Sequence, residues 1–175
     1  MIAATTITTP PALRALWPGQ GGHFAGLLPG IANPAELDVL IVSPVALGEF
    51  NGEWGKYGKT IKGADSYDDG RANTLAMAAA GSAIAKHVRS LEIEGHADYF
   101  IGSQADMHLC VATSKALFQQ RVYWTSTQYS ADDAWYQDFY DGTQYIDSKS
   151  ADLRVRAVRR FSLRSFGTLV FAGAA

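Results

Sequence analysis

The residues able to do chemistry in this 175-residue chain are few, and their spacing does not suit catalysis. The one cysteine, Cys110, falls in a helical pattern with Met107, Leu109, Val111 and Leu117. A lone thiol in such a stripe is expected to be inert core, since a nucleophilic Cys needs a neighbouring His or an electropositive pocket. The four histidines, His23, His87, His96 and His108, match no zinc spacing, and a single cysteine completes no ligand set. Asp65, Asp68, Asp69 and Gly70 partly resemble a calcium loop. The pattern fails at its third position, Tyr67, and at its twelfth, where Ala76 stands in place of a bidentate Glu. Helix capping explains the same carboxylates. No metal and no other cofactor is expected. The chain carries no GxSxG elbow, Walker loop or GxGxxG fingerprint, and its Gly19-Gln20-Gly21-Gly22 run precedes a strand pattern rather than a helix. The carboxylates of the C-terminal third could be paired to suit a glycosidase, but nothing selects two of them. No catalytic residue is assigned, and the chain reads as a protein that binds without doing chemistry.

The stretch from Tyr123 to Phe161 supports that reading. It packs aromatics, small hydroxyls, amides and Asp into strand-like runs joined by polar turns. Tyr and Trp give large contact area at low entropic cost, and Ser, Thr, Gln and Asp give adaptable hydrogen bonds. Period-two alternation sets Trp135, Gln137 and Phe139 against Tyr136, Asp138 and Tyr140. Trp135 and Phe139 are expected inward, and Tyr136 and Tyr140 outward. Arg154 and Arg156 alternate with Leu153, Val155 and Ala157, so one strand face is cationic and the other apolar. Cross-strand pairing of these arginines with Asp138, Asp141 or Asp147 is the expected outcome, with an acidic ligand as the alternative.

The elements that must position these residues follow from caps and periodicity. Residues 1–21 are Thr- and Pro-rich and read as an arm for docking or oligomer contact, followed by a domain over residues 22–175. His23–Leu28 and Leu37–Ser43 read as a hairpin, and Pro44 to Asp69 as a long loop. A helix begins near Asp69 and breaks at Gly81-Ser82, and Ser103 caps another running to about Gln119. Strands are expected at Tyr99–Ile101, Val122–Thr127, Ala134–Tyr140, Gln144–Ile146, Leu153–Phe161 and Thr168–Phe171. This order describes an α+β fold, with a mostly antiparallel sheet and its helices packed to one side. The chain is 47% hydrophobic and 18% charged with a net charge of -2, which supports a core and does not call for nucleic acid. No apolar run is long enough for membrane insertion, and the N-terminus lacks the basic and apolar regions of a signal peptide.

Several segments together resemble a known family: KYGKTIKGADSYDDGRANTLAMAAAGSAIAKHVRSL, YFIGSQADMHLC, YWTSTQYSADDAWYQDFYDG and LRVRAVRR, with the WPGQGGHFAGLLPG opening. They are similar to uncharacterised domains of phage tail proteins and bacterial surface proteins. The resemblance covers roughly residues 17–161 and implies a C-type-lectin-like fold. That fold is shared with formylglycine-generating enzymes and with the variable receptor-binding proteins of diversity-generating retroelements. In the variable proteins the ligand face is built from the C-terminal strands and their loops. By region and composition, the resemblance implies a ligand-binding face of Thr127, Gln128, Tyr129, Ser130, Asp132, Asp133, Gln137, Asp138, Tyr140, Thr143, Gln144, Tyr145 and Asp147. The enzyme branch relies on a pair of reactive cysteines, and this chain has one. The Glu-Pro-Asn and Trp-Asn-Asp motifs of calcium-dependent sugar binding are also missing. The implied role is a virion component at a phage tail tip or fibre that adheres to a host cell-surface protein or glycan. Other virion subunits are its expected neighbours, with a homotrimer as the expected assembly. The alternative is a structural virion protein, decorating a capsid or capping a tail.

Overall fold

The computed structural model describes residues 9–166. The proposed strand at Thr168–Phe171, like the first eight residues of the expected arm, lies outside them. The fold is α+β and dominated by one antiparallel-rich sheet. Its nine strands are β1 (Leu16–Trp17), β2 (Gly22–Pro29), β3 (Leu37–Val42), β4 (Glu49–Glu53), β5 (Phe100–Ile101), β6 (Val122–Gln128), β7 (Asp133–Asp138), β8 (Gln144–Ser148) and β9 (Asp152–Ser162). The main strand order is β1-β2-β3-β9-β6-β7-β8, with β4 and β5 also paired to β9.

The 11-residue β9 is the spine of this sheet. Its first half pairs antiparallel with β4 and touches β6 in parallel at Arg154 and Tyr123. Its second half pairs with β3, and Val158 and Ala157 also pair with β5. The expected loop from Pro44 to Asp69 is therefore not all loop. It contains a one-turn helix α1 (Val45–Gly48) and the strand β4. The short EFNGE run has no alternation that would announce a strand, and only pairing with β9 makes it one.

Three longer helices complete the fold: α2 (Gly70–Ala79), α3 (Ala83–Arg89) and α4 (Gln104–Ser114). Each begins where the capping chemistry places it. Asp69 accepts from the Ala72 N–H, Ser82 from the Ala85 N–H, and Ser103 forms a capping box with Asp106. Gly70 opens α2 against the start of α4. A Cβ there would lie 2.7 Å from the Ser103 nitrogen and 2.8 Å from the Ile101 oxygen. The helices do not share one side of the sheet, contrary to expectation. Val155 and Ala157 of β9 join the cluster under α2 and α3, whereas Val158, on the opposite face, joins the cluster with Met107 and Cys110 of α4. Both faces of the central strand are thus covered. Trp17, Phe24, Val39 and Ile41 form a third cluster against β1 to β3. Within the expected arm, Leu16 and Trp17 pair with β2 of their own chain, and Arg14, Ala15 and Gly21 also bond to the domain, so this part of the arm packs on it.

Candidate functional site

The outermost ribbon of the sheet, β7 and β8 with the turn between them, carries most of the residues singled out from the sequence. Its register sets Trp135 opposite Ile146, Tyr136 opposite Tyr145, Gln137 opposite Gln144 and Ala134 opposite Asp147. Opposed residues share a face, so the ribbon has two different sides. One, on the α4 side, bears Trp135, Ile146, Gln137 and Gln144. The other bears Tyr136, Tyr145, Asp138 and Asp147. The sequence-derived set is therefore split between two faces. At β8 both sides reach solvent: Tyr145 is 53% and Ile146 38% exposed.

On the α4 side the inner half is locked. Gln137 is fully buried and donates to the Thr143 carbonyl at 2.8 Å. Gln144 donates 2.9 Å bonds to the Gln137 side-chain oxygen and to the Gln104 carbonyl, and it accepts from the Gln104 amide. This amide chain ties the ribbon to the start of α4. Thr127 is also buried, donating to the Ser66 carbonyl. Gln128 uses its side-chain oxygen to accept from the Ile61 N–H and the Lys149 ammonium. Thr127, Gln128 and Gln137 thus build the base of the face and do not form its surface. Beyond them, Tyr129 (56% exposed) meets half-buried Trp135 edge-on at 5.4 Å between ring centroids. Trp135, expected inward, is one wall of this exposed pair, while Phe139 is buried as expected and stacks on Phe118.

The turn before β7 is held by Ser130, whose hydroxyl accepts from the Asp132 and Asp133 N–H groups. Lys149 holds it from beneath. This lysine is fully buried, yet it has no carboxylate partner among the described residues. Its three N–H groups go to the Lys59 and Ala131 carbonyls and to Gln128, and it sits 5.0 Å over the Trp54 ring. Burial pushes its ammonium below the ordinary lysine value, and Asp132 and Asp133 pull it partly back.

On the second face, Tyr136 and Tyr145 lie with ring centroids 6.2 Å apart. Tyr136, expected outward, is only half-exposed because its ring also covers the α2–α3 cluster. Burial raises its phenol above the ordinary tyrosine value, and the nearby Asp147, Asp138, Tyr145 and Asp141 raise it further. At the ribbon's turn, Tyr140 stands 70% exposed. Asp141 accepts from the N–H and hydroxyl of Thr143, and these bonds hold its carboxyl below the ordinary value.

Contrary to the expectation from the sequence, the arginines of β9 do not pair with Asp138, Asp141 or Asp147. Arg154 and Arg156 both reach Glu49 on β4, at 3.1 and 2.8 Å. Arg159 pairs with Asp98, and Arg160 with Asp38 and Asp106. Their partners come from β3, β4, α4 and the segment before β5, whose approach to β9 no local pattern reveals. The arginines of β9 are thus bonded within the chain rather than to the ribbon.

Other reactive groups are similarly occupied. Cys110 is buried, and burial pushes its thiol well up. A groove of about 810 Å³ lies between β4 and the α2–α3 corner, with Ser82 and His87 among its lining residues. Ser82 donates its hydroxyl to the Trp54 carbonyl while capping α3, and His87 packs edge-on against Phe50. No nucleophile and base are hydrogen-bonded there. Among the described residues no three His, Cys, Asp or Glu side chains are grouped to hold a metal ion. No protein-family model matches the chain, and no curated protein matches it.

Proposed function

We propose that this protein is a binding module that performs no chemistry on its partner. Its role is that of a phage virion adhesin, at a tail tip or tail fibre, recognising a host-surface ligand through the β7–β8 ribbon. The observation that carries this reading is the ribbon's construction. Tyr129, Tyr140 and Tyr145 are exposed on an element whose inner residues are fixed by buried hydrogen bonds. Rigid aromatics on a locked base bind with little ordering cost. The ribbon also lies at the opposite end of the strand order from β1, which leaves the β1–β3 end for attachment. A C-type-lectin-like fold agrees with the long central β9, the capped helices and the sequence resemblance. Adhesion by a single domain is weak, so a homotrimer that presents several ribbons together fits the role.

A structural virion role is the second reading. Exposed Leu16, Leu27 and Leu37 near the β1–β3 end favour it, since they suit a neighbouring subunit. Binding of the labelled protein to intact candidate host cells, with and without EDTA, separates the two. Saturable binding that survives EDTA supports a calcium-free adhesin. Absence of binding at high protein concentration shifts the role to the structural one.

A further inference from the structure

The sequence between Tyr129 and Ser148 contains five aspartates, Asp132, Asp133, Asp138, Asp141 and Asp147, and no Lys or Arg. The structure gives none of the five an ion pair among the described residues. The arginines that could have neutralised them are taken by Glu49, Asp98, Asp38 and Asp106 instead. Lys149 is turned inward onto carbonyls. Two outward cations lie near the ribbon without pairing to these carboxylates: Lys115, whose ammonium donates to the Tyr140 carbonyl, and exposed Arg121, whose carbonyl accepts from the Phe139 N–H. This unneutralised charge is arranged around an aromatic platform. Tyr136 and Tyr145 sit side by side, Asp138 two residues beyond Tyr136 on β7 and Asp147 two residues beyond Tyr145 on β8. Because the strands are antiparallel, the two carboxylates lie at opposite ends of the ring pair. Each keeps a fixed orientation, since Asp138 accepts from the Tyr140 N–H and Asp147 from the Ser148 N–H through one oxygen.

Resting on the adhesin reading, we propose that the Tyr136–Tyr145 face of the ribbon docks a basic protein segment, with a Lys or Arg side chain over the rings and flanking cations on Asp138 and Asp147. Ring faces attract ammonium and guanidinium groups, and carboxylates at both ends reward a chain of cations rather than a single one. The opposite face has a carboxylate at one end only, Asp133 two residues before Trp135, and its other end is closed by the bonded amides of Gln137 and Gln144, so it does not flank an aromatic pair on both sides.

The test uses fluorescein-labelled octalysine and the same peptide with every side chain acetylated, followed by fluorescence polarisation with the full chain. Octalysine is expected to bind saturably and to weaken as salt rises, and the acetylated peptide is expected not to bind. Asp138→Asn with Asp147→Asn should weaken octalysine at least tenfold. Each Asn keeps the oxygen that accepts the backbone N–H, so the turn geometry is preserved, and circular dichroism checks it. Glu92→Gln with Glu94→Gln removes the same charge from the segment whose Glu94 accepts from the Gly21 N–H, between β1 and β2, and should leave binding unchanged. Equal loss in both double variants would mean a diffuse field effect and overturn the proposal. Equal binding of the acetylated peptide, or no octalysine binding, would also overturn it. If octalysine fails while host cells still capture the protein in a Tyr129-dependent way, the adhesin reading survives and the basic partner does not.

Discussion

Glu49 Oε2 lies 2.8 Å from Nη1 of Arg156, and both side chains are closed off from solvent. Arg154, Gln119 and Tyr123 donate to the same carboxylate. One residue of β4 therefore fastens the spine of the sheet to β6 and to the segment after α4. Glu49→Ala leaves Arg156 buried without its counter-ion, so unfolding free energy should fall by about 3–5 kcal/mol. Urea denaturation of the two proteins measures this. A loss under about 1 kcal/mol would mean that water or another carboxylate replaces Glu49.

Gly70→Ala should also destabilise strongly. The added Cβ would sit within 3 Å of the Ser103 nitrogen and the Ile101 oxygen, both backbone atoms that cannot swing aside. A cost of about 1–3 kcal/mol is expected from forced overpacking, although Ala is the better helix former. A thermal melt showing Gly70→Ala at or above the parent stability would contradict the close approach.

Alkaline pH should unfold the protein earlier than its core suggests. Burial, first of all, holds the phenols of Tyr99 and Tyr123 up at about 12, against an ordinary value of 10.0. Above that ordinary value the unfolded chain releases protons that the native state retains, so stability falls as pH rises towards the folded value. Lys149 has the opposite sign, because its folded value is depressed, and its gain is nearly complete once pH passes 10.5. Between about pH 10.5 and about pH 11.5 the two phenols together should remove about 2 kcal/mol. Tyr99→Phe and Tyr123→Phe should each flatten the pH dependence measured by denaturant titration.

Lys149→Met tests how the ribbon's base is held. The substitution keeps much of the volume but removes three hydrogen bonds to Lys59, Gln128 and Ala131. Gln128 keeps its bond from the Ile61 N–H, so the loss falls on the Lys59 and Ala131 carbonyls, at about 1–3 kcal/mol for each that water does not reach, less whatever the relieved ammonium desolvation returns. Amide exchange should accelerate from Tyr129 to Asp133 more than in β3 or β9. Uniform acceleration would show that Lys149 supports the whole fold rather than this turn.

Tyr129→Ala with Tyr145→Ala separates surface from scaffold. Both rings are more than half exposed, so stability should change by only about 0.5 kcal/mol while host-cell adsorption falls. A folded double variant with parental adsorption would count against this ribbon as the binding element.

Local chemistry is written in the sequence, and for this protein it determined the caps and most of the strands. Asp69, Ser82 and Ser103 cap their helices because a side-chain oxygen three residues ahead of an N–H acts without distant partners. The alternation of Arg154 and Arg156 with Leu153 and Val155 likewise fixed which residues of β9 share a face. Only the tertiary structure decided what each face meets. Arg156 finds Glu49, not an aspartate of the ribbon, because β4 becomes a strand solely through pairing with β9. Thr127 turns inward because the remote Ser66 carbonyl takes its hydroxyl, and Gln137 because its ribbon partner Gln144 is itself bound to Gln104 of α4. Among the described residues the hairpin aspartates have no ion pair for the same reason, since an ion pair depends on which elements approach, and no spacing along the chain records that.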